Sequence, residues 1–477
     1  MSDDHTIRVM SPGQFEPEDH YYPRVPNALL HPLVKAVFRL GNERLAKRYC
    51  HLHPEVDRDA VRELLATRPA IFRWSGSDLF HVTDERGVRR NVIIETNSCP
   101  SGQKSMPPYA DDDRGGYYSL IQNSFLPALR AQRNLPRGRL AVLSDKNPME
   151  TTGYARVIAD LTEEDVLWIP FFTGRKNDHV RWDAGVLEVH HEGEWQPIRA
   201  AFRYVTQKPW NRIPPITKTW IYNPVLACLA GGRNKMLAAK AYDFFNAEMA
   251  DAGLVVRVPE TIWDVALQEV PLWVNRMGGV AVVKNPYSNA GQGVYTITSE
   301  AELDAFMELD HSYGRFIVQA LIGNRKWSSR SREGRLYHVG TVPDRHTDVY
   351  VADLRMMIGA GTDGFFPVAM YARRARTPLV DELDGHDSWS MLGTNLSVKS
   401  EAGFSTEPNR LMMMDQRDFN RLGLGLDDLT EAYLQSVMAT LAIDRLAQRL
   451  LTKKRTFRRN LFRTLNPDDA LLDEIMA

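Results

Sequence analysis

Residues 280–297 read "VAVVKNPYSNAGQGVYTI". An apolar run ends on Lys284, nine residues rich in small and polar types follow from Asn285 to Gly293, and a second run begins at Val294. The pattern predicts strand, loop, strand. A plain hairpin needs neither a lysine closing a buried strand nor so many small residues. A lid over phosphates uses both. Glycines let backbone N–H groups approach anionic oxygens closely. An ammonium about 4 Å from a unit negative charge gains on the order of 4 kcal/mol at intermediate dielectric. A second glycine pattern, "GAGTDG" at 359–364, matches GxGxxG. The residues after it, "FFPVAMYA", are strand-like, whereas a dinucleotide fingerprint must open a helix, so a hairpin turn is predicted there. No segment matches the P-loop pattern GxxxxGK[ST].

The chain around this loop has 477 residues, 43% hydrophobic and 25% charged, with 59 basic and 60 acidic side chains and a formal net charge of −1. Its length suggests about three compact units. The charge balance gives no reason to expect nucleic acid or an anionic membrane as a partner. Cys50, Cys99 and Cys228 form no CxxC pair, so neither a disulfide framework nor a zinc site is indicated, and a reducing, cytoplasmic setting fits. The start, "MSDDHTIRVM", lacks the regions of a signal peptide, and no stretch reaches the roughly 20 apolar residues of a membrane span.

Periodicity predicts helices up to about residue 70, then a hairpin over 70–97 turning at Asp84–Gly87. An α/β unit occupies roughly 138–172. A helix runs from Asn234 to Gly253, and Ser299 with Glu302 forms a capping box. Two long strands lie within 349–375. An amphipathic helix covers 427–451, and the basic run "KKRTFRR" after it reads as a solvated chain end.

Three features taken together resemble the ATP-grasp superfamily. Lys235 opens a helix about 50 residues before Lys284, the glycine-containing loop follows Lys284, and "FIVQALI" lies about 25 residues further on. The resemblance implies a nucleotide held between two α+β lobes. It assigns Lys235 and Lys284 to the phosphates, and Ser288, Asn289, Ala290, Gly291, Gln292, Gly293 and Val294 to the flap. It gives adenine the Gln319 carbonyl and the Ile322 N–H. Members of this family carry an E-x-N metal motif, usually after the flap. Here the good candidate comes early, at Glu95–Thr96–Asn97. Eukaryotic glutathione synthetases share that circularly permuted order, and "SDLFHVTDERGVRRNVIIETNSCPSG" is similar to their hairpin. By that likeness Asp78, Glu95 and Asn97 are metal ligands, with Ser98, Ser101 and Gln103 as substrate contacts. Residues i and i+2 of a strand share a face, so Glu95 and Asn97 can reach one ion. Oxygen ligands suit Mg²⁺, with phosphates and waters completing the shell.

The sequence departs from the glutathione synthetases in two places. They place an acid a few residues after the flap lysine, where this chain has "NPYS", and Asp353 is a substitute candidate. They also carry an arginine where this chain has Gly76, which puts their acyl substrate in doubt.

The expected fold is α+β with an α/β part: an ATP-grasp core plus an α/β substrate domain. The expected segments are 1–137 (helices and metal hairpin), 138–225 (substrate domain), 226–318 (flap lobe) and 319–477 (C-terminal lobe). The expected activity is an ATP- and Mg²⁺-dependent carbon–nitrogen ligase joining a small acid to an amine and releasing ADP and phosphate. Arg355 and Arg373 or Arg374 are candidates to meet a phosphate or oxyanion. The stretches "SCPSGQKSMP" and "GTNLSVK" look like the enzymes that make mycosporine-glycine from an enolic cyclohexenone and glycine. A small-molecule kinase, a peptide ligase and a nucleotide-binding module are the alternatives, and a homodimer is compatible with all of them.

Overall fold

The computed structural model describes residues 6–109, 112–172, 178–206, 212–287, 293–383, 386–400 and 403–476. Flap residues Ser288, Asn289, Ala290, Gly291 and Gln292 lie outside this set. Three larger sheets organise the chain. The seven-stranded one contains the 139–222 region, with the parallel strands Val166–Pro170, Arg139–Ser144 and Glu194–Tyr204 at its centre. The first two are almost wholly buried, as expected of parallel strands covered on both faces, and the third is buried from Ala200 to Tyr204.

The second sheet is antiparallel, ordered Thr261–Ala266, Arg315–Ala320, Ala281–Lys284, Val294–Ile297. It has a core of its own, in which Val265, Val274, Val283, Phe306 and Phe316 pack together. The third is a six-stranded antiparallel sheet. In it the early ribbon, Trp74–Asp84 with Arg89–Ser98, pairs with the late strand Ala352–Gly361 and its partner Gly364–Arg374. The glycine pattern at 359–364 is the turn of that late hairpin.

Local chemistry explains the ribbon. The Asp84 carboxylate accepts from the N–H groups of Arg86 (2.9 Å) and Val88 (3.0 Å), and Gly87 takes φ = 82°, closing the turn. A bulge then shifts the register: Leu79 faces Ile93 but Asp78 faces Glu95, leaving Ile94 as the extra residue.

Three sequence expectations need correction. The helix Leu426–Arg449 is buried on nearly all sides. Its polar residues read as a wet face, yet they satisfy other segments: Asp444 accepts from the Ile71 and Phe72 N–H groups, and Glu431 from the Asn91 N–H. The basic run is no free end. It forms a turn leading into helices Arg459–Leu465 and Asp469–Met476, with Phe462, Asn466, Leu471 and Leu472 buried. The capping box at Ser299 is half formed: Ser299 accepts from the Glu302 N–H, but the Glu302 carboxylate bonds Thr298 instead.

Candidate active site

The bulge brings Ile94 and Glu95 to the same cavity, together with Asp78 from the facing strand. Asn97, two residues beyond Glu95, is buried and its Nδ2 has no partner among the described residues. Among the described residues the strand Arg89–Ser98 pairs with Trp74–Asp84 alone. The helix Lys235–Glu248 packs against the ribbon here. Tyr242 donates to Thr96 Oγ1 (2.9 Å), and two turns back on the same helix face Lys235 Nζ lies 3.6 Å from Glu95 Oε1. Positions i and i+7 share a helix face, so one docking sets both contacts.

Lys284 approaches from the second sheet. Its Nζ donates to Gln319 Oε1 (2.6 Å), and Gln319 Nε2 donates to Thr261 Oγ1 (2.8 Å). Burial, with Lys235 nearby, brings the Lys284 ammonium down to about 8, while Glu95 and Asp78 oppose the shift. A cavity lies between the two antiparallel sheets. One end is charged, with Glu95, Lys235 and Lys284. The other is largely apolar, with Phe80, Ile94, Val282, Leu321 and Ile322.

A four-charge network closes the floor. Arg355 grips Asp78 through Nε (2.5 Å) and Nη2 (2.6 Å); Arg373 reaches Asp78 Oδ2 (3.0 Å) and pairs with Asp353. Burial alone would raise the Asp78 carboxyl, but the two guanidiniums overcome it and hold it at about 2. The quartet is neutral within itself. It leaves Glu95 against two lysines, a net positive site suited to a polyanion.

The predicted residues therefore sort by place. Glu95, Asp78, Lys235, Lys284, Gln319, Ile322, Val294 and Arg373 line one cavity, and Arg355 meets it through Asp78. Asp78 and Asp353 face the cavity with their oxygens taken by arginine, so as placed they position those arginines. Gln319 acts through its side chain; its backbone lies in register with Thr261 and Val282 on either side. Arg374 turns away and stacks on the Tyr350 ring at 4.2 Å. Ser98 contacts Cys228 and Arg203 instead of the cavity. Ser101 bonds Glu150 and Asn147, and its carbonyl accepts from Arg355. The Gln103 side chain packs over Gly116, and the Gln103 backbone N–H donates to Glu150 Oε1 (3.1 Å). Gly293 closes the flap base, its carbonyl accepting from Asn285 N–H (2.7 Å).

Among the described residues no group of three or more His, Cys, Asp or Glu is arranged to hold a metal. What fits a Mg²⁺ ion is the Glu95 carboxylate on the cavity wall, to which the Asn97 amide would add its Oδ1; Asn97 itself is not among the cavity-lining residues, and its orphaned atom is Nδ2, a donor that does not ligate metal. Such a pair needs further oxygens from phosphates and water.

Sequence reading missed two supports. Asn466, in the late helical segment, accepts through Oδ1 from Asn234 Nδ2 (3.0 Å) and Tyr287 Oη (2.6 Å). Asn234 caps the lysine helix and Tyr287 sits just past Lys284, so one amide ties both lysine-bearing segments together. The Lys235 N–H also donates to the Pro286 carbonyl (2.9 Å). Lys146, where the seven-stranded sheet meets the ribbon, shares its surroundings with Arg233 and Arg355; burial and those cations bring it to about 8, with Asp145 and Cys99 opposing.

The pocket thus lies between two antiparallel sheets, with Lys284 from one, Glu95 and Asp78 from the other, and Lys235 from the first turn of a helix. No family model matches the chain, and no curated protein sequence matches it. Among solved structures it is similar to a RimK domain ATP-grasp protein from Sphaerobacter thermophilus (14% identity, TM-score 0.30, covering 51% of this chain and 92% of that one). It is also similar to a glutathione synthetase-like effector from Globodera pallida (10%, 0.38, 73% and 86%) and to D-alanyl-alanine synthetase A from Vibrio cholerae O1 biovar eltor (11%, 0.29, 49% and 88%). Among the described residues no helix is long and apolar enough to cross a membrane.

Proposed function

We propose that this chain is an ATP-dependent, ADP-forming ligase that activates a small acid by phosphorylation and joins it to an amine. The observation that carries the reading is the meeting of Glu95, Lys235 and Lys284 at one cavity although they come from distant parts of the sequence. The apolar end receives the base, and the Ile322 N–H is put forward as its partner. Lys235 and Lys284 take the phosphates. Mg²⁺, bound at Glu95 and Asn97, would neutralise charge on the phosphate oxygens. Arg373, which lines the cavity and is held rigid by Asp78 and Asp353, supplies fixed guanidinium N–H donors where the transferred group becomes more anionic, and Arg355 holds Asp78 in place beneath it. The γ-phosphoryl group passes to an acid oxygen as its bond to the ADP oxygen breaks. The amine nitrogen then attacks the activated carbon, loses a proton, and phosphate leaves.

In this reading the ribbon of 1–137 and the segments 226–318 and 319–477 enclose the nucleotide in a circularly permuted order. Segment 138–225 presents the acid, beside Lys146. A side chain at Gly76 would collide with Pro100, its Cβ falling 2.4 Å from the proline Cβ. The arginine of the glutathione synthetases has no room there, which favours another acid. An enolic cyclohexenone with glycine as the amine, giving mycosporine-glycine, is the specific pair we put forward; a peptide-ligase substrate is the alternative. The test is ADP release with a panel of acids and amines. Phosphate that appears only with an amine marks a ligase, while a stable phosphoester marks a kinase on the same fold.

Two further results are expected. Lys284 is charged in the free protein below about 8 and loses its proton as pH rises through that value. Mg–ATP affinity therefore falls between pH 7 and 9, and Lys284→Met removes most of that dependence; calorimetric titration at both pH values measures it. Asn466→Ala loosens the link between the lysine helix and Tyr287. It should weaken Mg–ATP binding about tenfold, the worth of one or two neutral hydrogen bonds, and unchanged affinity would refute the tie.

A further inference from the structure

We propose that Trp389 is the platform on which the nucleotide base stacks. The inference rests on the nucleotide reading above and adds a base-binding residue to it, from a short helix beyond the late hairpin. That helix, Ser388–Leu392, is capped by Asp387, whose carboxylate accepts from the N–H groups of Trp389 (3.1 Å) and Ser390 (3.2 Å). Met391 and Leu392 are buried in one cluster with Leu321, and Phe80 and Val282 pack against it. Phe80, Val282 and Leu321 line the apolar end of the cavity, so the helix is anchored at the end that receives the base.

Trp389 lines the same cavity and is only half-buried, which leaves part of its ring surface open. The indole rests on Gly393. A Cβ built there would fall 3.0 Å from Trp389 Cε2 and 3.2 Å from Cδ2, the two atoms shared by the fused rings. Those atoms are reached together only from above the ring plane, so the Gly393 main chain backs one face of the indole. The other face is the surface offered to a ligand. A flat, apolar ligand gains most from such a surface, and a nucleobase stacks on it whatever its hydrogen-bonding edge.

The platform is also fixed relative to the phosphate end. Ser388 Oγ lies 2.7 Å from Thr296 Oγ1, on the strand Val294–Ile297. Thr296 and Val294 line the cavity, and Val294 is in register with Lys284. One hydrogen bond thus ties the helix carrying the indole to the strand pair carrying the phosphate lysine.

The experiment titrates ATP and inorganic tripolyphosphate, each with Mg²⁺, into wild type, Trp389→Phe and Trp389→Leu, following heat and tryptophan emission. Among the described residues Trp389 is the one tryptophan lining the cavity. ATP should therefore quench wild-type emission, and tripolyphosphate, which has no base, should not. Trp389→Leu should weaken ATP about tenfold and leave tripolyphosphate unchanged. Trp389→Phe keeps a ring, so it should hold ATP affinity within about threefold while losing most of the quench. A quench that persists in Trp389→Phe, or ATP affinity unchanged in Trp389→Leu, would overturn the inference with the nucleotide reading intact. Equal losses of both ligands in Trp389→Leu would overturn it as well, since they mark a disturbed wall and no lost stacking. A wild type that takes up no ATP overturns both readings.

Discussion

Glu95→Gln is expected to lower turnover by about 10³-fold, read as ADP release with the acid and amine that support it in wild type. The change keeps shape and removes one negative charge. That charge sits where the ribbon meets both lysines, 3.6 Å from Lys235 Nζ. With it goes the anionic ligand of the Glu95–Asn97 pair, so the ion that couples phosphate oxygens to the protein is lost. Binding of ATP without Mg²⁺ should hold or tighten, since Lys235 and Lys284 then face the phosphates less neutralised. This split separates a catalytic carboxylate from a structural one, whose loss would weaken binding and turnover together. Turnover within about threefold of wild type would remove Glu95 from the chemistry.

The second large effect is on stability. Asp78→Asn should cost about 3–5 kcal/mol, because it leaves Arg355 and part of the charge on Arg373 buried without their counter-ion. The pH dependence has a definite direction. Asp78 is held at about 2 in the folded protein, below the roughly 3.9 of an unfolded aspartate. Its contribution is therefore complete above about pH 4 and disappears as pH falls through about 2. Urea midpoints for wild type and variant should converge across that acid window and differ most at neutral pH. Asp78→Asn combined with Arg355→Met should recover part of the loss, since it removes the stranded cation as well. A single variant within 1 kcal/mol of wild type at pH 7 would contradict the assignment of Asp78 as the residue that fixes both arginines.

The lysines, the acid–amide pair and the linking strand were legible because each is a local signal: a charge ending an apolar run, two polar residues at strand spacing, a buried strand before a turn. Their convergence was not local, and only the family resemblance suggested it. The roles of Asp78 and Arg355 depended on register across strands 277 residues apart, and a bulge decides which residue Asp78 faces. Asn466 lay in a segment read as a solvated end because its basic run precedes the buried Phe462, Leu471 and Leu472. The helix Leu426–Arg449 was read as amphipathic because Glu431, Gln435 and Asp444 are polar. Their partners are main-chain groups of other segments, and sequence periodicity carries no record of those.

The central claim is that an early ribbon and two later lysines form one nucleotide site. Calorimetric titration of a non-hydrolysable ATP analogue with Mg²⁺ tests it most directly, on wild type, Glu95→Gln, Lys284→Met and the double variant. The account predicts one site per chain in wild type and losses in the two single variants that do not add in the double variant, since both residues act on the same phosphates. Wild type that takes up no analogue, or losses that simply add, would contradict it.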